Sequence, residues 1–259
     1  MIPTPPSPPN DAFRPPELKS VFTGEHAWCG EKMMLSRDLE GALPLAGFFS
    51  SPAFTEALDR YAQTHGGSDR RAIASMWSLY YFAGLTIPFI VARRADYVLP
   101  VDLASMTIAL AEDGLPRAFG LETEGDWSEA DAADGADGYV VPLVHRHLAA
   151  VVAAMKAAAG LAPKLAWNNA AVYIDYAFNA TAPTSGSDAW ASRPLFEQPV
   201  LADGTANPFR GCLRHEPMGD ETVCRRKVCC LRYLLPGIPS CGALCALPAQ
   251  RGEGPQKGH

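Results

Sequence analysis

The sequence predicts an α+β fold in which helix dominates, with a small antiparallel sheet and a C-terminal cysteine-rich segment suited to binding a metal cluster. Three observations carry this. Apolar residues recur at helical spacing in four stretches, near 52–66, 70–82, 142–160 and 163–179. Apolar and β-branched runs between 85 and 122 flank Asp113–Gly114, a turn signal. Six of the seven cysteines fall between Cys212 and Cys245.

Each element has a local reason. Residues 1–20 hold seven prolines and are expected to form an extended, disordered tail. Ser51 is a helix N-cap followed by proline at the first helical position, with Phe54, Leu58 and Tyr61 as the apolar stripe and Gly66–Gly67 as the stop. Asp69 caps the next helix, whose Ile73, Met76, Trp77, Tyr80 and Tyr81 make a wide apolar face. Ile87–Val91 reads as a strand, as do Met106–Leu110 and Arg117–Leu121. Seven acidic residues between Glu122 and Asp137 read as a solvated, flexible loop. Pro142 and Gly160 bound one further helix, and a last one runs from Pro163 to Asn179. Residues 180–208 show no period. The expected organisation is a tail at 1–20, an α+β domain at 21–208, the cysteine segment packed on it at 209–250, and a loose polar tail at 251–259.

Composition narrows the function. The chain has 259 residues, 48% hydrophobic and 19% charged, which suits a packed domain with a real core. A net charge of -6 argues against a nucleic-acid partner. The longest apolar run, near Ala83–Ala92, is broken by Pro88 and followed by Arg93 and Arg94, so no transmembrane segment is expected; peripheral membrane contact needs none. No basic-plus-apolar leader opens the sequence, and a cytoplasmic location is expected. There is no glycine-rich nucleotide fingerprint in a strand–turn–helix setting. His145 and His147 are two apart in a helical stretch, which places them on different faces.

The cysteines carry the chemical signal. Cys229 and Cys230 are adjacent; ten residues separate Cys230 from Cys241, and three separate Cys241 from Cys245. Pro236–Gly237 and Pro239 supply a chain reversal between the two pairs. In a reducing compartment such clustering points to metal ligation rather than a disulfide framework. Adjacent cysteines diverge in a regular element, so both reach one centre only on irregular backbone. Zinc sites usually space their pairs by two to four residues, whereas an iron–sulfur cluster takes four thiolates. Buried structural thiols, structural zinc and a vicinal redox pair remain open on spacing alone.

The segment from Arg225–Arg226 through Cys229–Cys230, Leu231-Arg232-Tyr233, Pro236–Gly237 and Cys241 resembles the C-terminus of the FhuF-like ferric-siderophore reductase family. Other stretches are similar to that family: Arg70-Arg71-Ala72 with Ser75-Met76-Trp77-Ser78 and Tyr80-Tyr81-Phe82, then Leu165 to Ala171 around Trp167 and Asn168–Asn169, and Asn207-Pro208-Phe209. The resemblance covers roughly residues 45–248. One departure stands out: the family usually has two residues within its last cysteine pair, and this chain has three.

The resemblance implies a [2Fe–2S] cluster on Cys229, Cys230, Cys241 and Cys245, with Cys212 and Cys224 as substitutes for the fourth ligand. It implies one-electron reduction of ferric siderophores, of hydroxamate type, with release of Fe(II) in the cytoplasm. Electrons are expected from a separate partner, a ferredoxin or a flavoprotein reductase. Arg225, Arg226, Lys227 and Arg232 would surround the cluster. Arg71, Trp77, Tyr80, Trp167, Asn168 and Tyr173 are candidates for a substrate groove, against the plainer reading of core aromatics and a helix asparagine bonded to a loop. Two other functions compete: a non-enzymatic iron–sulfur carrier or redox sensor, and a zinc-stabilised siderophore-binding module.

Overall fold

A computed structural model describes residues 17–128, 135–182, 192–218 and 221–251. Most of the two expected tails, and residues 129–134 of the acidic run, lie outside the described residues. The folded part starts earlier than Val21: Leu18–Ser20 forms a 3-10 turn, Leu18 is buried, and its N–H donates to Glu124 at 2.8 Å.

The core forms around two long helices, Arg70–Arg94 and Pro163–Ala180. Helix α1 is the single turn Cys29–Lys32, and α2 runs from Pro52 to His65. Helix α3, Arg70–Arg94, is capped by the Asp69 carboxylate, which accepts from the N–H groups of Arg71 and Ala72. Trp77, Tyr81, Phe82 and Leu85 are fully buried on it. The strand expected at Ile87–Val91 is instead the last third of this helix, which continues through Pro88. A short β-branched run reads the same in a strand and in a helix covered on all sides. Burial of Ile87, Phe89, Ile90 and Val91 outweighs the one backbone hydrogen bond that Pro88 removes.

By length and apolar composition alone, Arg70–Arg94 and Gly138–Ala159 could each cross a membrane, contrary to the run-length reading. In the first, 83% of the apolar window is buried inside the protein, as in a core helix; in the second, 44% is.

The main sheet joins β1 (Met33–Leu35), β2 (Leu43–Pro44), β4 (Thr107–Leu110) and β5 (Pro116–Leu121) in the order β1-β5-β4-β2. It is antiparallel except for β1, which runs parallel to β5 from Met33 opposite Phe119 to Leu35 opposite Leu121. Asp113–Gly114 makes the turn between β4 and β5. Gly114 adopts φ +86°, and a side chain there would strike the Ala57 carbonyl, so only glycine fits. Its own carbonyl accepts from Trp77 Nε1 at 2.9 Å, which ties the sheet to α3. Strand β3 (Tyr97–Val98) pairs with β6 (Asp126–Trp127), so part of the expected acidic loop is bonded chain.

Helix α4 begins at Gly135, not at Pro142, and holds that proline inside its Gly135–Leu143 span. A π turn at Val144–Leu148 joins it to α5, Ala149–Ala159, which Gly160 closes with φ +66°. His147 lies in the π turn, fully buried, 2.6 Å from Tyr81 Oη through Nε2 and 3.1 Å from the Val101 carbonyl through Nδ1. Burial pulls its pKa down to about 4. His145 points elsewhere, to Asp203 at 2.7 Å.

Helix α6, Pro163–Ala180, packs along α3, and α7 is the short piece Arg193–Glu197 in the stretch that showed no period. An antiparallel hairpin follows, β7 (Leu213–Met218) with β8 (Glu221–Arg226), which leads into the cysteine segment.

Candidate metal centre and its cavity

Beyond β8 the chain is irregular, and the irregularity has named causes. Leu231 takes the left-handed conformation at φ +62°, unusual for a leucine. That turn points its N–H back to Cys229 Sγ at 3.3 Å and lets Cys229 and Cys230 face one space. Gly237 makes the expected reversal at φ +71°. Gly242–Leu244 then forms one 3-10 turn, closed by the Cys245 N–H on the Gly242 carbonyl at 2.9 Å. The three residues between Cys241 and Cys245 are this turn, which absorbs the extra residue.

Cys229, Cys230, Cys241 and Cys245 all line one small cavity, with Arg232 and Tyr233 at its edge. Cys230 Sγ and Cys241 Sγ are 3.9 Å apart. All seven cysteines are free thiols. Within the close pair, the hydrogen bond between the two sulfurs, helped by the Arg226 charge, pulls Cys230 down. The same contact, with burial, pushes Cys241 up. Burial raises Cys229, while the Leu231 N–H partly offsets that.

A ladder of buried polar groups fixes this segment to the core. Ser75 on α3 donates to the Cys230 carbonyl at 2.7 Å. Asn169 on α6 donates to Ser78 Oγ at 2.8 Å and to the Ser75 carbonyl at 3.1 Å, and its Oδ1 accepts from Arg226. Arg226 is 3% exposed, beside Cys230 and Cys241, and burial lowers its pKa. A buried cation is costly in an apolar interior, so an anionic partner beside it is a favourable arrangement.

Of the remaining cations, Arg232 borders both cavities and its charge helps to lower Cys230, while Arg225 makes contacts further out. Arg225 bonds Glu216 at 2.7 Å and the Ala243 carbonyl at 2.8 Å, which clamps the hairpin to the turn between Cys241 and Cys245. Arg232 donates to the Pro239 carbonyl at 3.3 Å. At Lys227 it is the backbone N–H that bonds, donating to the Cys212 carbonyl at 2.9 Å.

The groove candidates do not gather. Trp77 is fully buried among Phe48, Phe54 and Tyr81. Asn168 is fully buried, and its amide bonds the Cys212 carbonyl. Both serve the fold. Trp167 stands half-buried, edge-on to Phe209 at 5.3 Å. Arg71 is exposed and paired with Asp69 at 3.1 Å. Tyr80 is 44% exposed. Tyr173 does reach a cavity of about 650 Å³, whose wall also includes Tyr176, Arg226, Cys230 and Cys241. Tyr176 is a lining residue that the sequence reading missed; its place on α6, three residues after Tyr173, is the signal that was available.

Neither substitute cysteine lines the small cavity of the four, although Cys224 borders the larger cavity that Cys230 and Cys241 also line. Cys212 is buried, with its Sγ 3.6 Å from the Pro208 carbonyl. Cys224 stands by Asp175, and burial pushes its thiol well up, with the Asp175 charge adding to this. Cys29 is buried in the main core.

A four-thiolate set on one cavity, with a buried guanidinium and a backbone N–H beside the sulfurs, fits an iron–sulfur cluster. The family described as ferric iron reductase FhuF-like transporter matches residues 75–223, more than half of the chain. The match begins at Ser75 within α3, takes in α6 and the first half of β8, and ends before the cysteine pair. No curated protein matches this sequence.

Proposed function

The chain belongs to the FhuF-like ferric iron reductase family, and from that premise we propose that it reduces ferric siderophores, of the hydroxamate type, by single electrons. Cys229, Cys230, Cys241 and Cys245 would hold a [2Fe–2S] cluster. Such a cluster, when bound, supplies one electron at low potential. The observation that supports this reading best is the convergence of those four cysteines on one cavity beside a larger one.

The substrate chemistry agrees. Hydroxamates are hard oxygen donors that hold Fe(III) far more tightly than Fe(II), so one electron is enough to loosen the metal, and no covalent bond needs breaking. The protein's part is to hold the complex close and to keep its own centre in place. Tyr173 and Tyr176 offer flat amphipathic walls. Arg226 offsets the negative charge of the thiolates. Arg225 and Ser75 fix the two stretches of chain that carry them. A separate donor, a ferredoxin or a flavoprotein reductase, would deliver electrons, and the cytoplasm is the setting in which both it and released Fe(II) are at hand.

The test is the visible spectrum of anaerobically purified protein, with iron and acid-labile sulfide measured. A coloured protein with matched iron and sulfide is expected, bleached by dithionite and recoloured by a ferric hydroxamate. A bleachable centre that ignores the siderophore would leave an electron carrier. A colourless zinc protein would end the iron–sulfur reading.

A further inference from the structure

A second group of donor atoms lies in the wall of the larger cavity. His215 on β7 stands directly opposite Cys224 on β8 in the hairpin register. Directly opposed residues place their side chains on the same face of a sheet. That face meets α6 at Asp175, whose Oδ1 is 3.3 Å from His215 Nε2 and accepts from Ser192 Oγ at 2.6 Å. One ligand atom each from Asp175, His215 and Cys224 lies within 4.8 Å of the others. Ligand atoms around a tetrahedral ion, at bond lengths of about 2.0–2.3 Å, stand roughly 3.3–3.8 Å apart, so small side-chain rotations close the set.

Four further features favour an ion there. The donors mix nitrogen, oxygen and sulfur, which suits borderline first-row divalent metals and not calcium or magnesium. A carboxylate and a thiolate together neutralise a divalent charge, so a filled site is neutral where Asp175 is 4% exposed and the His215 side chain 6%. Asp175 and Cys224 both border the cavity that Cys230 and Cys241 also line, which leaves a coordination position for water or a substrate oxygen. Ser192 orients the carboxylate, as outer hydrogen bonds do around metal ligands.

We propose that Asp175, His215 and Cys224 bind one divalent first-row transition-metal ion, at a site separate from the four-cysteine centre. Entry of the ion displaces the Cys224 thiol proton to solvent. Ferrous iron is the ion that the proposed reaction would leave in this cavity; that identity rests on the reductase reading, whereas the site does not.

The experiment uses full-length protein purified anaerobically with its metal centre intact, as judged by sulfide content, and cobalt(II) as the probe. One equivalent of cobalt should bind, with a thiolate-to-cobalt band in the difference spectrum. Zinc should displace it and should protect Cys224 from alkylation, read by mass spectrometry. Cys224→Ser should abolish the band, and His215→Gln should weaken cobalt binding at least tenfold, with sulfide unchanged in both. Ferrous iron should compete with cobalt under the same conditions. Cobalt bound without a thiolate band, or equally by parent and variants, overturns the proposal. So does a parent protein with no saturable binding or with Cys224 unprotected, a result that needs no variant to fold. Protein that binds cobalt in this way but never passes an electron to a ferric hydroxamate loses the reductase reading and keeps this site.

Discussion

The α3–α6 core and the cysteine segment at 227–251 are held in shape by different forces. In the core, aromatic and aliphatic side chains cover α3 on every side, and its backbone is regular enough to run through a proline. In the segment, backbone bonding is limited to short turns, one leucine adopts a left-handed φ, and a few side-chain hydrogen bonds tie it to the rest. Packing spreads stability over many weak contacts. Polar ties concentrate position in a few strong ones. Damage to the core should therefore appear as lost stability, and damage to the ties as a disordered metal centre.

The comparison can be broken most sharply at Trp77. Trp77→Ala empties the middle of an aromatic cluster and should cost about 3–5 kcal/mol in chemical denaturation, while the metal content of the molecules that remain folded stays at the parent's value. A variant that folds well but loses its metal would show that the core also sets the centre's geometry.

Next in size is a pH effect confined to the core. His147 has its pKa lowered from 6.5 to about 4 by burial. The unfolded chain thus takes up a proton before the folded one does, and stability falls as pH drops from about 6.5 to about 4. The full loss is about 3 kcal/mol, at about 1.36 kcal/mol for each pH unit between the two values. Denaturation midpoints at pH 7.5 and pH 5 should show this slope, and His147→Gln should flatten it.

Asn169→Ala acts at the junction. It removes the acceptor for Arg226 and the donor for Ser75 and Ser78, at a cost of about 1–3 kcal/mol. Sulfide and iron retention should fall further than that loss of stability explains; equal retention would mean that Arg226 does not need its partner.

The smallest effect belongs to Arg71→Ala, which removes an exposed pair with Asp69 and leaves the cap itself in place. No resolvable change in Tm is expected, and no change in the rate of ferric hydroxamate reduction. A slower rate would put Arg71 in contact with substrate.

Legibility in the sequence followed the range of the forces. Caps and stops are local, so Ser51–Pro52, Asp69, Gly160 and Pro163 marked real boundaries. That the C-terminal cysteines gather was legible because their spacing is itself the signal, whereas the ligand set came from the resemblance alone. Ile87–Val91 was misread because periodicity does not reveal whether both sides of a segment will be covered. Hairpin β7–β8 was missed because its covered face carries, Leu213 apart, His215, Cys224 and Arg226 in place of apolar residues, so no hydrophobic alternation betrays it. The Asp175–His215–Cys224 group was invisible for the same reason, and because α6 supplies its third member from 40 residues before His215. Trp77 and Asn168 were candidates by residue type, and only their burial shows that they serve the fold.

The turn at Gly242–Leu244 has a consequence for how relatives are recognised. It is closed by a bond between neighbours and is tied to the hairpin by the Arg225 guanidinium on the Ala243 carbonyl, so a residue gained or lost there alters a local loop as long as that clamp is kept. The interval between the last two cysteines is thus a tolerant dimension of this chain, while the paired Cys229–Cys230, which depends on a rare backbone twist at Leu231, is a rigid one. A search pattern that insists on two residues in the closing interval would pass over this protein; one that insists on the doublet and lets the interval vary would find it.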